Sequence, residues 1–386
     1  MATGVVDINS DLVRKKWMRE GLIQAASKSF WAPYTGNSFD SVVYQVNNQS
    51  AAEGHTVVFD FDGNLSGKAK KGKETAYGTG EQKKKFSDKI TVERYRLVVD
   101  NGDEFDAVNI GDLNIAQHMD SRQKLGDLFV RFKDQALFDA AQGVKGAVSP
   151  THKINIDASA TALSYANLVA IEKSLRTGTG FVTGLPDVVT AAGSRAPLKP
   201  YRLSDGRSIW IMVIDPHTAA NIKGNTAAGG IMTLAQHADL RGSENRVFRG
   251  LLGQIGQLVI VEAEAFFGET EGTDATALGL NQSEIEIAGL RQYDATNSAW
   301  SGQAGFATAE YSRNLILGAS ALQSAFGKMP DYKWQPSQDF GIKSESALEV
   351  WMETQKTNMT AENSDYKQAK VASMDAGVIA LDVKLV

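Results

Sequence analysis

Apolar and polar positions change period several times along the chain, and each change predicts a different element. Val57, Phe59 and Phe61 alternate with Val58, Asp60 and Asp62, the period of two expected of a strand with one buried face. A second strand is predicted from Lys89 to Asp100. Its apolar phase starts on Ile90 and Val92 and moves to Tyr95, Leu97 and Val99, which predicts a bulge or a change of burial near Glu93 or Arg94. Between them, Gly67 to Asp88 is rich in glycine and lysine and reads as a long hairpin with a solvent-facing tip. From Asp112 to Gln142 the period lengthens. Leu125, Leu128, Phe129, Phe132, Ala136 and Leu137 follow helical spacing over many turns, with Gly143 and Gly146 to stop the helix and Pro150 to prevent its resumption. A second helix is predicted from Thr161 to Leu175.

The remainder is strand-rich. Ser208 to Ile214 reads as a buried strand halted by Asp215-Pro216, and Ala219 to Lys223 as the start of a helix. Leu251 to Ala265 reads as a strand pair or a buried strand, Glu284 to Ala288 as an alternating apolar run, and Val378 to Val386 as a final strand. Tyr311 to Phe326, apolar and rich in small residues, is predicted to be a buried helix. At the N-terminus, Leu12, Val13, Trp17, Leu22 and Ile23 fit a short amphipathic helix between Asp7 and Lys28. Residues 1 to about 45 read either as an arm that finds partners elsewhere or as a helical layer on their own domain. Helices and strands interleave without a regular strand–helix repeat, so the fold class is α+β rather than a doubly wound sheet.

Composition narrows the function classes. With 386 residues, two to three domains or one large discontinuous fold are expected. Hydrophobic residues make up 42% and the net charge is only −5, so the chain can bury a core and is not globally disordered. No run approaches the roughly 18 apolar residues of a membrane helix, and Met1 to Arg14 lacks the pattern of a secretory signal, so synthesis in the cytosol and no membrane partner are expected. The absence of cysteine excludes disulfides, thiolate nucleophiles and cysteine-bound metal centres.

Charge is distributed unevenly. Residues 68 to 89 carry eight lysines (Lys68, Lys70, Lys71, Lys73, Lys83, Lys84, Lys85 and Lys89) against Glu74, Glu81 and Asp88, a local +5 that leaves −10 for the rest of the chain. An extended basic arm on an acidic body attracts arm to body between copies of the same molecule. The same lysines also suit a solvated loop that keeps an edge strand from aggregating. Nucleic-acid binding is a weaker reading, because the cluster lacks arginine and offers only Tyr77 and Phe86 for stacking.

One motif carries candidate chemistry. Val57-Val58-Phe59-Asp60-Phe61-Asp62-Gly63 resembles the first motif of haloacid-dehalogenase-type phosphatases, which would make Asp60 a nucleophile and Asp62 a general acid beside a metal. Asn64 and the lysine–glycine tract after it depart from that pattern, where the family has threonine or valine and then a helix-forming sequence. The spacing does not fit a calcium loop, a dinucleotide fingerprint or a P-loop. His55, His118, His152, His217 and His237 are scattered without zinc-ligand spacing. No catalytic residue, metal site or cofactor is therefore assigned.

A longer pattern is shared with another kind of protein. Gly54-His55-Thr56-Val57-Val58-Phe59, Leu65-Ser66-Gly67, Gly80-Glu81 and Ile90-Thr91-Val92-Glu93-Arg94-Tyr95-Arg96 are followed by Ile211-Met212-Val213-Ile214-Asp215-Pro216 and Phe248-Arg249-Gly250-Leu251-Leu252-Gly253. Then come Arg313-Asn314-Leu315-Ile316-Leu317-Gly318, Asp339-Phe340-Gly341 and Asp375-Ala376-Gly377-Val378-Ile379-Ala380. In order and spacing this resembles tailed-phage major capsid proteins of the coliphage N-four type, with a Hong Kong 97-like fold. Asp215, Thr218 and the stretch from Glu353 to Lys356 depart from the family pattern.

The resemblance implies an N-terminal arm (1–45), an extended loop hairpin (46–105), a peripheral domain with a long spine helix (106–151), an axial domain (152–335) and a return to the peripheral domain (336–386). It also implies a structural protein, not an enzyme, that forms hexamers and pentamers of an icosahedral shell in the host cytoplasm. Lys68, Lys70, Lys71, Lys73, Lys83, Lys84 and Lys85 would contact a neighbouring subunit. Packaged DNA would be touched weakly and without sequence preference. A separate scaffolding protein, a portal and a possible cement protein are the further partners implied, and no fused scaffolding segment is expected before residue 45.

Overall fold

The computed structural model describes residues 29–47, 56–62, 69–80, 85–103, 113–144, 147–156, 165–177, 199–203, 206–224, 251–263, 266–267, 288–291, 311–338, 343–359 and 374–384. The helix predicted before Lys28 and most of the run predicted at Glu284 to Ala288 lie outside these residues. Ala288 itself is buried but belongs to no strand.

In chain order the elements are β1 (Thr35–Gly36), β2 (Val43–Asn47), β3 (Thr56–Asp62), β4 (Lys85–Thr91), β5 (Glu93–Asp103), α1 (Leu113–Gln142), β6 (Lys153–Ile156), α2 (Tyr165–Thr177), β7 (Tyr201–Arg202), β8 (Ser208–Ile214) and α3 (Pro216–Gly224). They continue with β9 (Leu251–Ile255), β10 (Leu258–Glu262), β11 (Phe266–Phe267), β12 (Leu290–Arg291), β13 (Tyr311–Leu317), β14 (Leu322–Gln338), β15 (Lys343–Lys356), β16 (Asn358–Met359), β17 (Met374–Asp375) and β18 (Val378–Lys384).

Two sheets carry the mass. The first runs β1-β2-β14-β15-β5, and the second β6-β18-β13-β8-β10-β9 with β7 alongside β8. The second sheet is buried on both faces. Trp210, Met212, Ile214, Leu258, Ile260 and Ile316 pack against Leu168, Ile171 and Leu175 of α2 and Ala219 and Ile222 of α3. Their strand neighbours Ile211, Val213, Val259, Val261, Leu315 and Leu317 face Leu137, Phe138 and Ala141 of α1 together with Trp31 and Tyr34. A central strand buried on two sides shows no alternation. That is why Tyr311 to Phe326, predicted as a helix, is instead β13, a tight turn with Ser320 at φ 52°, and the start of β14. In sequence a short apolar run of this kind cannot be told from a buried helix by period alone.

Helix α1 joins the sheets. At 30 residues it is about 45 Å long. Leu125 and Phe129 pack against Phe326, Leu348, Val350 and Met352 of the first sheet, and the turns after Leu137 pack against the second. It ends where predicted: Gly143 takes φ 74°, and both its N–H and that of Val144 donate to the Asp139 carbonyl. The second predicted helix is also present, shifted to Tyr165–Thr177. At Asp215-Pro216, where the sequence departs from the family pattern, Asp215 caps α3 by accepting the Thr218 N–H at 3.0 Å, with proline as the first helical residue.

The C-terminal end of α1 is held by buried polar groups. Gln142 donates to the carbonyls of Arg291 and Arg313, both at 3.1 Å, and accepts the Arg291 N–H at 2.8 Å. Arg291 forks onto Asp139, and Arg313 donates both to the Gln142 carbonyl and to Asp382, its cross-strand neighbour, at 2.7 and 3.0 Å. Arg313 and Asp382 are almost wholly shielded from solvent, at 0% and 2% exposure.

Removing one member of such a pair strands a buried charge, whereas removing both with apolar replacements is nearly neutral. Arg313→Met is expected to lower subunit stability by about 3–5 kcal/mol, and Arg313→Met with Asp382→Leu to recover most of that loss. Guanidinium denaturation of the three proteins is the check, and equal destabilisation by single and double variants would contradict it.

Candidate assembly surfaces

The hairpin predicted around the lysine cluster is built as an antiparallel ribbon, with Thr56 opposite Thr91 and Asp62 opposite Lys85. Its alternation is the one read from sequence. Val57, Phe59 and Ile90, with Val92, are buried against Tyr44, Val46, Ala325 and Trp351 of the first sheet, while Val58 is 53% exposed and Asp60 faces solvent. The predicted change near Glu93 is a change of sheet: β4 ends at Thr91, Val92 is buried, and β5 leaves to pair with β15.

Beyond the ribbon, residues 69–80 are exposed throughout, including Lys70, Lys71, Lys73 and Tyr77. Lys85 opens β4. Lys68, Lys83 and Lys84 lie outside the described residues.

This geometry removes the phosphatase alternative. Asp60 sits mid-strand opposite Ser87 in a two-stranded antiparallel ribbon, and Asp62 closes the ribbon opposite Lys85. The nucleophile motif needs a strand end in a parallel sheet, and the described residues after this strand, 69–80, are turns and extended chain rather than a helix. Among the described residues no three His, Asp or Glu side chains are grouped to hold a metal ion.

A second surface lies where the N-terminal segment meets α1. Phe30 and Trp31 pack at a tilt against Phe138 with ring centroids 5.1 and 4.8 Å away. Asp134, buried beneath them, accepts hydrogen bonds from Ser29 Oγ at 2.8 Å and from the Phe30 N–H at 2.7 Å. Burial outweighs these donors and pushes the Asp134 carboxyl up to about 6. Its neighbour Lys133 donates to Gln45 at 3.1 Å and lies over the Phe326 ring, and burial pulls its ammonium below the ordinary lysine range. The segment is thus fastened to the helix by a charged group and two aromatic rings.

Two further ionic sites escaped the sequence reading. On β15, Glu349 receives Lys333, Arg94 at 2.9 Å and the Trp351 indole N–H at 3.1 Å; these donors, Lys333 first, hold its carboxyl down at about 2. At the far end of the same strand, Lys356 and Asp375 form a buried pair at 3.1 Å, and Asp375 also accepts the Thr151 N–H at 2.7 Å. The one sequence signal was a charge inside an apolar stretch, as at Glu349 between Leu348 and Val350. The partners range from Lys333 and Asp375, 16 and 19 positions away, to the distant Arg94, and spacing does not disclose them.

A family model described as phage capsid protein matches residues 6–384, and the chain belongs to that family. Its fold is similar to the head structure of Helicobacter pylori bacteriophage KHP40 (TM-score 0.66, 16% identity, 93% of this chain and 91% of that one). It is also similar to the capsid of Ralstonia phage GP4 (TM-score 0.63, 18% identity, 100% and 99%) and to the capsid of Helicobacter pylori bacteriophage KHP30 (TM-score 0.65, 16% identity, 92% and 91%). No curated protein matches the sequence. The protein is a structural, non-enzymatic component of the virion capsid. No helix among the described residues is long and apolar enough to cross a membrane.

Asp134 gives the segment's anchorage a pH dependence. Because its folded-state value of about 6 lies above the ordinary carboxylate value of 3.8, the folded protein holds a proton that the unfolded chain has lost. The resulting stabilisation is full below about pH 4, is lost as pH rises through 6, and amounts to roughly 3 kcal/mol for a shift of about two pH units. Asp134→Asn keeps an acceptor for Ser29 and Phe30 but cannot titrate, so its stability is expected to vary less than the parent's between pH 4 and 6. Urea denaturation at each pH checks this, and identical profiles would refute it.

Proposed function

We propose that the chain is the major capsid protein of a tailed phage, of the coliphage N-four type with a Hong Kong 97-like fold. In this reading it assembles as hexamers and pentamers into the icosahedral shell around double-stranded DNA. Residues 1–45 serve as an N-terminal arm, 46–105 as the extended loop hairpin, 106–151 as the peripheral domain built on α1, 152–335 as the axial domain, and 336–386 as the return to the peripheral domain. A separate scaffolding protein and a portal complete the assembly, with a cement protein as an optional outer partner. The acidic body lines the shell without gripping DNA, because counterion release rewards only dense Lys and Arg contacts.

The observation that carries this reading is the projecting ribbon. Its base is packed on the first sheet, and its basic tip is exposed from residue 69 to 80 with no core of its own. Such an element is costly in an isolated monomer and useful in a symmetric assembly, where each copy's arm meets another copy's body. Lysines there give steering and many weak contacts that closed symmetry multiplies.

Negative-stain electron microscopy and sedimentation of the protein, expressed alone and with its genomic neighbours, are expected to show closed shells or ring-like hexamers and pentamers. A monodisperse monomer or dimer under both conditions would overturn the reading. Replacing Lys83, Lys84 and Lys85 by glutamate is expected to abolish shells while circular dichroism still reports a folded subunit. Normal particles from that variant would remove the arm from assembly.

A further inference from the structure

The passage from β15 to β18 is held by a buried pair whose cation is a lysine. Lys356 Nζ lies 3.2 Å from Oδ1 and 3.1 Å from Oδ2 of Asp375, and the two side chains are only 5% and 2% exposed. An amine at nearly equal distance from both oxygens of one carboxyl faces the carbon between them, at about the 3–3.5 Å separation of a near-attack pair. Arg291 and Arg313 hold Asp139 and Asp382 in the same two-pronged way but cannot react, because a guanidinium stays protonated. A lysine amine can. Burial pulls the Lys356 ammonium below the ordinary lysine range, and desolvation of this kind is what makes a lysine a nucleophile.

The surroundings of the pair supply the remaining parts. The Thr151 N–H donates to Asp375 Oδ2 at 2.7 Å, where negative charge would grow as the carboxyl carbon is attacked. The Thr151 hydroxyl accepts the Asp375 N–H at 3.0 Å and so fixes the backbone that carries the carboxyl. His152 is next in the chain and buried, and neither of its ring nitrogens has a hydrogen-bond partner among the described residues. Burial holds its imidazole below the ordinary histidine range and therefore uncharged at neutral pH, with Asp375 and Lys356 as the charges that act on it. An uncharged imidazole has one nitrogen to accept a proton and one to donate. We propose that Lys356 and Asp375 condense to an intramolecular isopeptide bond, with the Thr151 N–H as oxyanion donor and His152 as proton relay. The Nζ–Cγ bond forms, the Cγ–Oδ1 bond breaks, and two of the ammonium protons leave on Oδ1 as water. Ammonium and carboxylate thus give a neutral amide, and no outside reagent is needed. The bond takes two charges out of the core and closes the chain between 356 and 375 into a ring at the passage between the two sheets.

Mass spectrometry of the denatured full-length chain tests this whether or not the protein assembles. The chain is expected to weigh one water less than its sequence. A tryptic digest is expected to yield a branched peptide that joins Lys356 to Asp375, with no cleavage after Lys356. Lys356→Arg, which keeps the ion pair, is expected to show the full sequence mass and no branched peptide. His152→Phe, which keeps a ring but cannot carry a proton, is expected to lower the linked fraction at a fixed time after synthesis, and an unchanged fraction would remove His152 from the step. A full sequence mass in the parent chain would overturn the bond. So would a lost water without the branched peptide, the result that a cyclic imide at Asp375 would give.

Discussion

One helix has to serve two sheets, and much of the structure follows from how its end is held. The exposed turns of an α-helix leave carbonyls without partners, and here those carbonyls arrive inside the protein. The Gln142 carbonyl is taken by Arg313, and the Gln142 side chain closes a ring with the backbone of Arg291 and Arg313. Asp139 and Asp382 supply the two charges that let both arginines be buried. A cation at a helix C-terminus is also favoured by the helix dipole. Without this clamp the last turns of α1 would carry unsatisfied polar groups into a core formed by Leu137, Phe138, Leu315 and Leu317.

The other passages between the sheets converge on a shared region. The chain leaves the second sheet after Leu317 and enters the first at Leu322; it leaves the first after Lys356 and re-enters the second at Val378. Backbone hydrogen bonds tie these crossings together: Gly318 to Gly377, Thr357 to Ala321, and Ala376 to Thr357. The carbonyls of Ser41 and Val42, just before β2, accept the N–H groups of Ser320 and Leu322. The approach is so close that a Cβ on Gly377 would lie 2.6 Å from the Ala321 backbone, which explains a glycine at that position. The Lys356–Asp375 pair sits beside this knot and fixes its two ends to each other.

Where local chemistry decides, the sequence was legible. The period-two ribbon at Val57 to Asp62, the long helix with its glycine stop, the strand stop at Asp215-Pro216 and the β9–β10 strand pair all follow from neighbours in the chain. Where the environment is supplied from far away, it was not. Residues 311–326 look helical only because strands from both sides and helices from both faces hide their alternation. Asp134, Arg313 and Glu349 were ordinary charges until residues some 70 to 260 positions distant came to meet them. The phosphatase motif failed for the same reason, since its two aspartates are catalytic only in a sheet that this chain does not build around them.

The choice of cation differs between the clamp at the end of α1 and the exposed loop. Buried pairs at Asp139 and Asp382 use arginine, whose planar fork meets a carboxylate with two hydrogen bonds and is less strongly hydrated. The exposed arm uses lysine alone, a hydrated point charge on a flexible stem whose exposed ion pairs are worth about 0–1 kcal/mol each. In the proposed assembly that difference would suit two tasks. A fold is strengthened by contacts that form once and hold, whereas a closed assembly of identical subunits needs contacts weak enough to break while copies are misplaced. Repetition around the symmetry then makes the completed shell stable without any single contact being strong. An arm of arginines would grip the first acidic surface it met, nucleic acid included, and lose the reversibility on which correct closure depends.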